Sequence, residues 1–295
     1  GIRDQPRSRG LGDVYKRQEL LEEAKRYGYE KVAFISSDFL GHPDAVRVVN
    51  MALEMGYSIS LPSLRADAVG DELISTLERG RVRTVTVAPE TASKKLKRVL
   101  GKEIKNEALL NLAGSLPKTV STLKLYFMVG VPGETKEDVK QNLELISRVY
   151  RAFKKGGAGR RVVVSVNPFI PKPHTPLQYC PFPNLERLRG VLNAFRELRA
   201  PGLTLRFLHP KRAFIQAFLS LGGLDAAEVL ARVFESGLNP SAWFKAIGSA
   251  LETVKRVREG CNPEEELPWE IVETGIPREH LRLRFARAME AAGKR

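Results

Sequence analysis

The sequence predicts a parallel α/β protein, built either as a partial barrel or as an open doubly wound sheet. Three observations carry that prediction. Strand-like and helix-like segments alternate from Lys31 to Val166 at spacings that suit right-handed βαβ units. Five apolar strands each end in a short polar or Gly/Pro motif. These motifs read Ser36-Ser37-Asp38, Pro62-Ser63-Leu64-Arg65, Ala88-Pro89-Glu90-Thr91, Gly130-Val131-Pro132-Gly133-Glu134-Thr135 and Asn167-Pro168-Phe169. The run Leu123 to Val129 is nearly all apolar, as a strand buried on both faces should be. Chemistry in parallel α/β folds sits at the carboxyl ends of strands, so the five motifs outline one rim.

The elements follow in order. Residues 19–27 carry an amphipathic helical period closed by Gly28, and Lys31 to Ile35 is a short β-rich run. His42-Pro43-Asp44 opens a helix reaching about Met55, and Gly56 ends it. Tyr57 to Leu61 is the next strand, followed by a helix from about Asp71 to Glu78 that closes at Gly80. Val82 to Val87 is the third strand; helices then follow Ser93 and occupy about 105–115. After Leu123 to Val129, Thr135-Lys136-Glu137-Asp138 has a capping-box layout and starts a long helix ending at Gly156-Gly157. Arg161 to Val166 is the fifth strand. Past the Pro-rich stretch 168–183, helical periods dominate at about 184–198, 211–221, 223–235, 240–259 and 277–292. One short strand, Leu203 to Leu208, can add an edge to the sheet or lie across it. The expected organisation is a leader over 1–18, a core over 19–178 and a mainly helical extension over 179–295.

Bulk properties narrow the function classes. A chain of 295 residues can bury a substantial core. No run approaches the roughly 18 apolar residues of a membrane span, and no secretory signal is visible, so the default compartment is the cytoplasm. Residues 1–18 lack a hydrophobic period and look foreign to the fold. They hold five basic and two acidic residues, so without them the net charge of +14 falls to +11. That balance permits attraction to nucleic acid or other anionic partners, although charge spread over helix faces is the blander account. Only Cys180 and Cys261 are present, which excludes a disulfide framework and any multi-cysteine metal site supplied by this chain alone.

Among candidate site residues, Glu90 follows a buried apolar run and Pro89, a position that favours function over a mere helix-dipole charge. For Glu134 the helix start is nearly sufficient explanation. Gly130 and Gly133 can admit a ligand close to the backbone or simply supply positive φ in a tight turn. Arg65 can pair with a carboxylate in bidentate fashion or stand as a surface arginine. His174, in the stiff loop Pro171 to Pro176, has no paired acid or nucleophile in sequence. No P-loop, G-x-G-x-x-G, Ser/His/Asp set or H-E-x-x-H site can be assembled.

Taken together, the strand ends resemble the radical S-adenosylmethionine superfamily, in the branch that often carries an upstream cobalamin-binding-type domain. The resemblance rests on Ser60 to Asp67, Ala88 to Ser93, Lys124 to Thr135 and Ser165 to Pro176, with the tail Leu267 to Ile276. Methylthiotransferases that modify tRNA or a ribosomal protein share similar motifs on the later strands. The resemblance implies a partial (β/α)6 TIM-like barrel, here lacking its first strand. It implies S-adenosylmethionine and a [4Fe–4S] cluster with an external reductant, and leaves room for cobalamin. In such enzymes the cofactor pair generates a 5′-deoxyadenosyl radical that abstracts hydrogen from substrate. Ser36, Ser37 and Asp38 match the grip on the methionyl amino group, and Arg65 with Ser63 beside it suits the methionyl carboxylate. Glu90 and Ser93 match a polar motif near ribose and methionine, and Gly130, Val131 and Gly133 match the turn near adenine. The family holds its cluster with three cysteines in C-x3-C-x2-C spacing, and nothing of the kind exists here. The expectation is that this segment lies upstream and that the chain alone is inactive; a cluster-free paralogue is the other account. A tRNA or another anionic partner, an interaction module on a dead barrel, and a lyase using Glu90 as base complete the alternatives.

Overall fold

The computed structural model describes residues 14–293. Helix α1 (Val14–Arg26) begins within the stretch that the sequence sets apart as a leader; residues 1–13 lie outside the described residues. Arg17 is buried, and its guanidinium lies 3.0 Å from Nε2 of His42, so this turn of helix packs against the fold.

Among the described residues six strands follow, all parallel. β1 (Lys31–Ala33) pairs with β2 (Ser58–Ser60). β3 (Thr84–Glu90), β4 (Thr122–Val129), β5 (Arg161–Pro168) and β6 (Leu203–Phe207) form a second sheet in that order. The chain after β2 links the two. Leu64 bridges Val87 in parallel, and its N–H donates to Thr86 O at 2.8 Å. The strands therefore follow one another across the fold in chain order. A doubly wound sheet reverses its order at a switch point; this one does not, and its sequence is that of a barrel arc.

Between the strands run α2 (Ala45–Glu54), α3 (Asp71–Arg79), α4 (Lys94–Val99), α5 (Asn106–Ser115), α6 (Lys136–Lys154) and α7 (Leu185–Arg196). Burial along the strands explains which face they cover. Val85, Val87, Leu123, Leu125, Phe127, Val129, Val162, Val164 and Val166 are buried in one apolar cluster with Leu145, Ile146, Val149, Phe153, Leu192 and Phe195 of the helices. The alternate residues are more accessible, and Tyr126 is 38% exposed. The expectation that β4 is buried on both faces is thus corrected: Lys124, Tyr126 and Met128 stand on an open inner face. The period of two, which an apolar count hides, is legible only once the neighbours on each side are known.

The uncertain strand at 203 resolves as an edge, with Val162 to Val166 in register with Leu203 to Phe207. Sheet and apolar cluster thus continue past residue 178, and the cluster reaches Trp269. Beyond β6 the chain is helical, with α8 (Pro210–Ser220), α9 (Leu224–Glu235), α10 (Pro240–Ile247), α11 (Leu251–Glu259) and α12 (Arg278–Ala291). The single helix read over 240–259 is two helices, broken at Gly248-Ser249-Ala250.

Two buried polar anchors hold this frame. At the amino ends of the strands, Arg160 is 4% exposed and donates to the carbonyls of Phe153, Leu116 and Pro117 at 3.0, 2.7 and 2.8 Å. Its guanidinium also lies 4.5 Å from the Phe153 ring centroid. In the tail, Trp269 Nε1 donates to Gln178 Oε1 at 2.8 Å, which also accepts from His174 N at 2.8 Å. Two segments far apart in sequence, the Pro-rich loop and the Leu267–Trp269 turn, meet at one buried amide.

Because Arg160 satisfies three carbonyls from two elements, Arg160→Ala is expected to lower the unfolding free energy by about 3 kcal/mol. Urea denaturation reads this, and a loss below about 1 kcal/mol would show that water replaces the guanidinium at no cost.

Candidate active site at the strand ends

The carboxyl ends of β1, β2 and β3 bring charged side chains into one chain of contacts. Arg65 donates to both carboxylate oxygens of Asp67, at 3.2 and 2.9 Å, and its other terminal nitrogen lies 4.0 Å from Asp38 Oδ2. The bond from Arg65 holds the Asp67 carboxyl below the usual range, and Lys102 adds to this. Lys102 in turn pairs with Glu90 at 3.1 Å. Asp38, Arg65, Asp67, Lys102 and Glu90 therefore lie in sequence around the rim. Half of the Arg65 and Asp38 side-chain surface remains exposed, so both stay accessible to a ligand.

Local backbone geometry presents these groups. Asp38 N donates to Ser36 Oγ at 3.2 Å, which tightens the turn after β1. Ser37 and Ser63 are exposed at the same rim. Glu90 adopts φ +61°, unusual for a residue other than glycine, at the apex of a turn closed by Thr91 N–H on Pro89 O at 2.7 Å. The register against β4 slips between Val87 and Glu90. Such a bulge bends the strand and re-aims its last side chain, and here it turns Glu90 toward Lys102.

Ser93 plays a different part from the ligand contact expected of it. It is 2% exposed, its oxygen accepts from Leu96 N to cap α4, and its proton goes to Asp138 Oδ1 at 2.6 Å. Asp138 also completes the capping box with Thr135 and pairs with Lys95 at 2.7 Å. Burial pushes the Asp138 carboxyl up, but the bonds from Lys95, Ser93 and Thr135 together hold it below the usual range. One turn along α6, Asn142 Oδ1 accepts from Thr91 Oγ1 and Ala92 N at 3.1 and 2.6 Å. Ser93 thus positions the loop that carries Glu90.

The Gly130–Gly133 turn lies apart from the charged chain. Both glycines have positive φ, +77° and +78°, and a Cβ on Gly130 would come within 2.7 Å of Pro183. A Cβ on Gly133 would come within 2.6 Å of Ala292 O. Val131 is buried with Phe169, Leu177, Ala288 and Ala292, so α12 packs over the ends of β4 and β5. The strand-end motifs divide accordingly: Asp38 and Arg65 lie together with Glu90 near by, while Gly130 serves a close approach of protein to protein.

A cavity of about 1030 Å³ opens beside that turn, bounded by Glu134, Tyr179, Arg187, Phe285 and Met289. Glu134 Oε2 accepts from Gly130 N at 2.8 Å, while Glu134 Oε1 and the Tyr179 hydroxyl are buried without a hydrogen-bond partner among the described residues. Burial raises the Glu134 carboxyl from its ordinary 4.5 to about 7, and Gly130 N–H and Arg187 only partly oppose this. Sequence reasoning undervalued Glu134 because its helix-start position seemed a complete explanation. Cys180 and Cys261 border the same cavity, and Cys261 N donates to Tyr179 O at 3.0 Å. Burial pushes the Cys261 thiol up to about 11, which opposes a thiolate there.

Among the described residues no group of three or more His, Cys, Asp or Glu is placed to hold a metal ion. A [4Fe–4S] cluster takes thiolate ligands, and two cysteines, one held strongly protonated, do not fit it. The amino-acid moiety of S-adenosylmethionine fits better: Arg65 suits a carboxylate and Asp38, 4.0 Å from it, an ammonium.

An arc of consecutive parallel strands with charged groups gathered at their carboxyl ends is the arrangement of barrel-type α/β proteins, a class whose ligand sites lie at those ends. Residues 3–146 match the family model described as the radical SAM superfamily. An uncharacterized protein of Methanocaldococcus jannaschii is 31% identical over 243 residues. Those residues make up 82% of this chain and 51% of that relative, so the chain spans about half of the relative's length. Among the described residues no helix is long and apolar enough to cross a membrane.

Glu134 favours its protonated form in the folded state, so its contribution to stability is full below about pH 4.5 and is lost as pH rises through about 7. Glu134→Gln is therefore expected to flatten the decline in stability across that window by about 3 kcal/mol. Thermal unfolding of the two proteins between pH 4.5 and 8 reads the difference, and parallel curves would contradict the burial.

Proposed function

We propose that this chain supplies the S-adenosylmethionine-binding strand ends of a radical SAM iron–sulfur enzyme. The carrying observation is that Asp38 beside the Arg65–Asp67 pair and Glu90 paired with Lys102 stand at the carboxyl ends of three neighbouring strands, close enough for the Lys102 charge to act on Asp67. In this reading Asp38, with Ser36 and Ser37, accepts from the ammonium of the ligand, and Arg65 beside Ser63 receives its carboxylate. Glu90, held by Lys102 and by the bulge in β3, faces the ribose end. When bound, the cluster and S-adenosylmethionine together supply radical chemistry. The role of the chain's own residues is to grip and orient the ligand's charged end.

The cluster's thiolates belong, in this reading, to polypeptide outside these 295 residues. The cysteine count supports it, as does the share of the relative that the chain spans. The edge of β1 supports it too: among the described residues β1 pairs only with β2, and Tyr29 and Ile35 near its ends are 63% and 93% exposed. An open parallel edge flanked by large apolar side chains is a site for a further strand. The chain alone is then inactive. No finding supports the cobalamin expectation, and the proposal does not include it.

Two measurements test this. Calorimetric titration of the chain with S-adenosylhomocysteine should detect binding that Asp38→Ala and Arg65→Ala each weaken at least about tenfold, the loss of a charge-assisted bond. Unchanged affinity in both variants would refute the assignment. Anaerobic iron–sulfide reconstitution of the 295-residue chain should leave it colourless, and a stable brown cluster would refute the reading of its cysteines.

A further inference from the structure

The open inner face of the β3–β6 sheet has a composition that the rim does not explain. Parallel sheets are ordinarily covered on both faces, yet here one face carries the main apolar cluster and the other stays partly accessible. Polar residues predominate on it, beside Met128 and Val163. Parallel register places Thr86, Lys124, Val163 and Thr204 in one row. Tyr126, Ser165 and Arg206 form the next row toward the carboxyl end.

Charge on this face is one-sided. The four strands carry three cations, Lys124, Arg161 and Arg206, and a single carboxylate, Glu90, which is paired with Lys102. Among the described residues Lys124 and Arg206 enter none of the ion pairs. Thr204, Arg206 and Tyr126 are exposed, and Lys124 and Ser165 partly so. Strands lie about 4.8 Å apart, so the Tyr126 and Arg206 backbones stand about 10 Å apart with Ser165 between them. Lysine and arginine side chains of about 6–7 Å can close on a group seated over Ser165, and the hydroxyls of Ser165, Tyr126 and Thr204 add donors around it. Two cations without carboxylate partners, Lys124 and Arg206, with hydroxyls between them, suit the tetrahedral oxygens of a phosphate ester. The adjacent Tyr126 ring offers a flat surface for a sugar or base.

We propose that the inner face around Ser165 binds the phosphate group of the substrate, held by Lys124 and Arg206 with Tyr126 alongside. This rests on the reading above, in which the strand ends hold S-adenosylmethionine, and it assigns the substrate to the phosphate esters.

The test uses the 295-residue chain and calorimetry with ribose 5-phosphate, ribose, and a short single-stranded RNA, at low and at moderate salt. Ribose 5-phosphate or the RNA should bind at least tenfold more tightly than ribose, more weakly as salt rises, and at least fivefold more weakly to Lys124→Gln and Arg206→Gln. Binding of the sugar phosphate identifies a small phosphorylated substrate; binding of the RNA alone, with the same residue dependence, identifies a polynucleotide. Arg148→Gln, which removes an equal charge from the outer surface of α6, should leave affinity unchanged. Absence of binding to both probes, or equal losses in Arg148→Gln, would overturn the proposal. Titration with S-adenosylhomocysteine in the same variants separates the two ideas. Retained phosphate binding with no binding there sinks the cofactor reading alone, and the reverse sinks this one alone.

Discussion

Asp138 and Asn142, one turn apart on α6 and both buried, tie the ends of two adjacent strands together. Asp138 closes the start of α6 through Thr135, just after the β4 turn, and reaches across to Ser93 beyond β3. Asn142 takes the backbone of Ala92 and the hydroxyl of Thr91. A buried carboxylate is costly unless every lone pair is used, and this one receives Ser93, Thr135 and Lys95. The arrangement leaves the Glu90 turn little freedom, so a residue at positive φ persists at the rim because its surroundings over-determine it.

From that knot the two sides of the strand ends take different work. On the β1–β3 side charged groups remain accessible, with about half of the Arg65 and Asp38 side-chain surface open to solvent. On the β4–β5 side the turn is filled by protein, with Pro183 and Ala292 pressed against glycine backbone and α12 packed over Val131. Glu134 lies at the margin of this packing, one oxygen bonded to Gly130 N and the other unsatisfied beside the cavity. The helical extension is thereby part of the strand-end architecture rather than a separate appendage.

The rim motifs were legible because the strands that precede them are apolar, short and regularly spaced, and because Gly, Pro and capping residues mark where each strand stops. Arg65 and Glu90 could be singled out from their place after a strand, and Asp38 through the family resemblance of its motif. Ser93 could be singled out but not understood, since its partner Asp138 lies 45 residues away and only the fold brings them together. Lys124, Tyr126 and Arg206 escaped notice because a count of apolar residues does not say which side of a strand is covered. The join between Gln178 and Trp269 spans 91 residues and has no local signature.

Sequence alone determined the alternation of strands and helices, the positions of the turns, and the limit that two cysteines set on metal chemistry. Those are properties of neighbouring residues and of composition, and they follow from backbone preference and the count of donor atoms. Tertiary structure decided the order of the strands, which of their faces is covered, and which polar atoms are satisfied. Each of these depends on distant parts of the chain meeting, where burial sets the cost of every unpaired group.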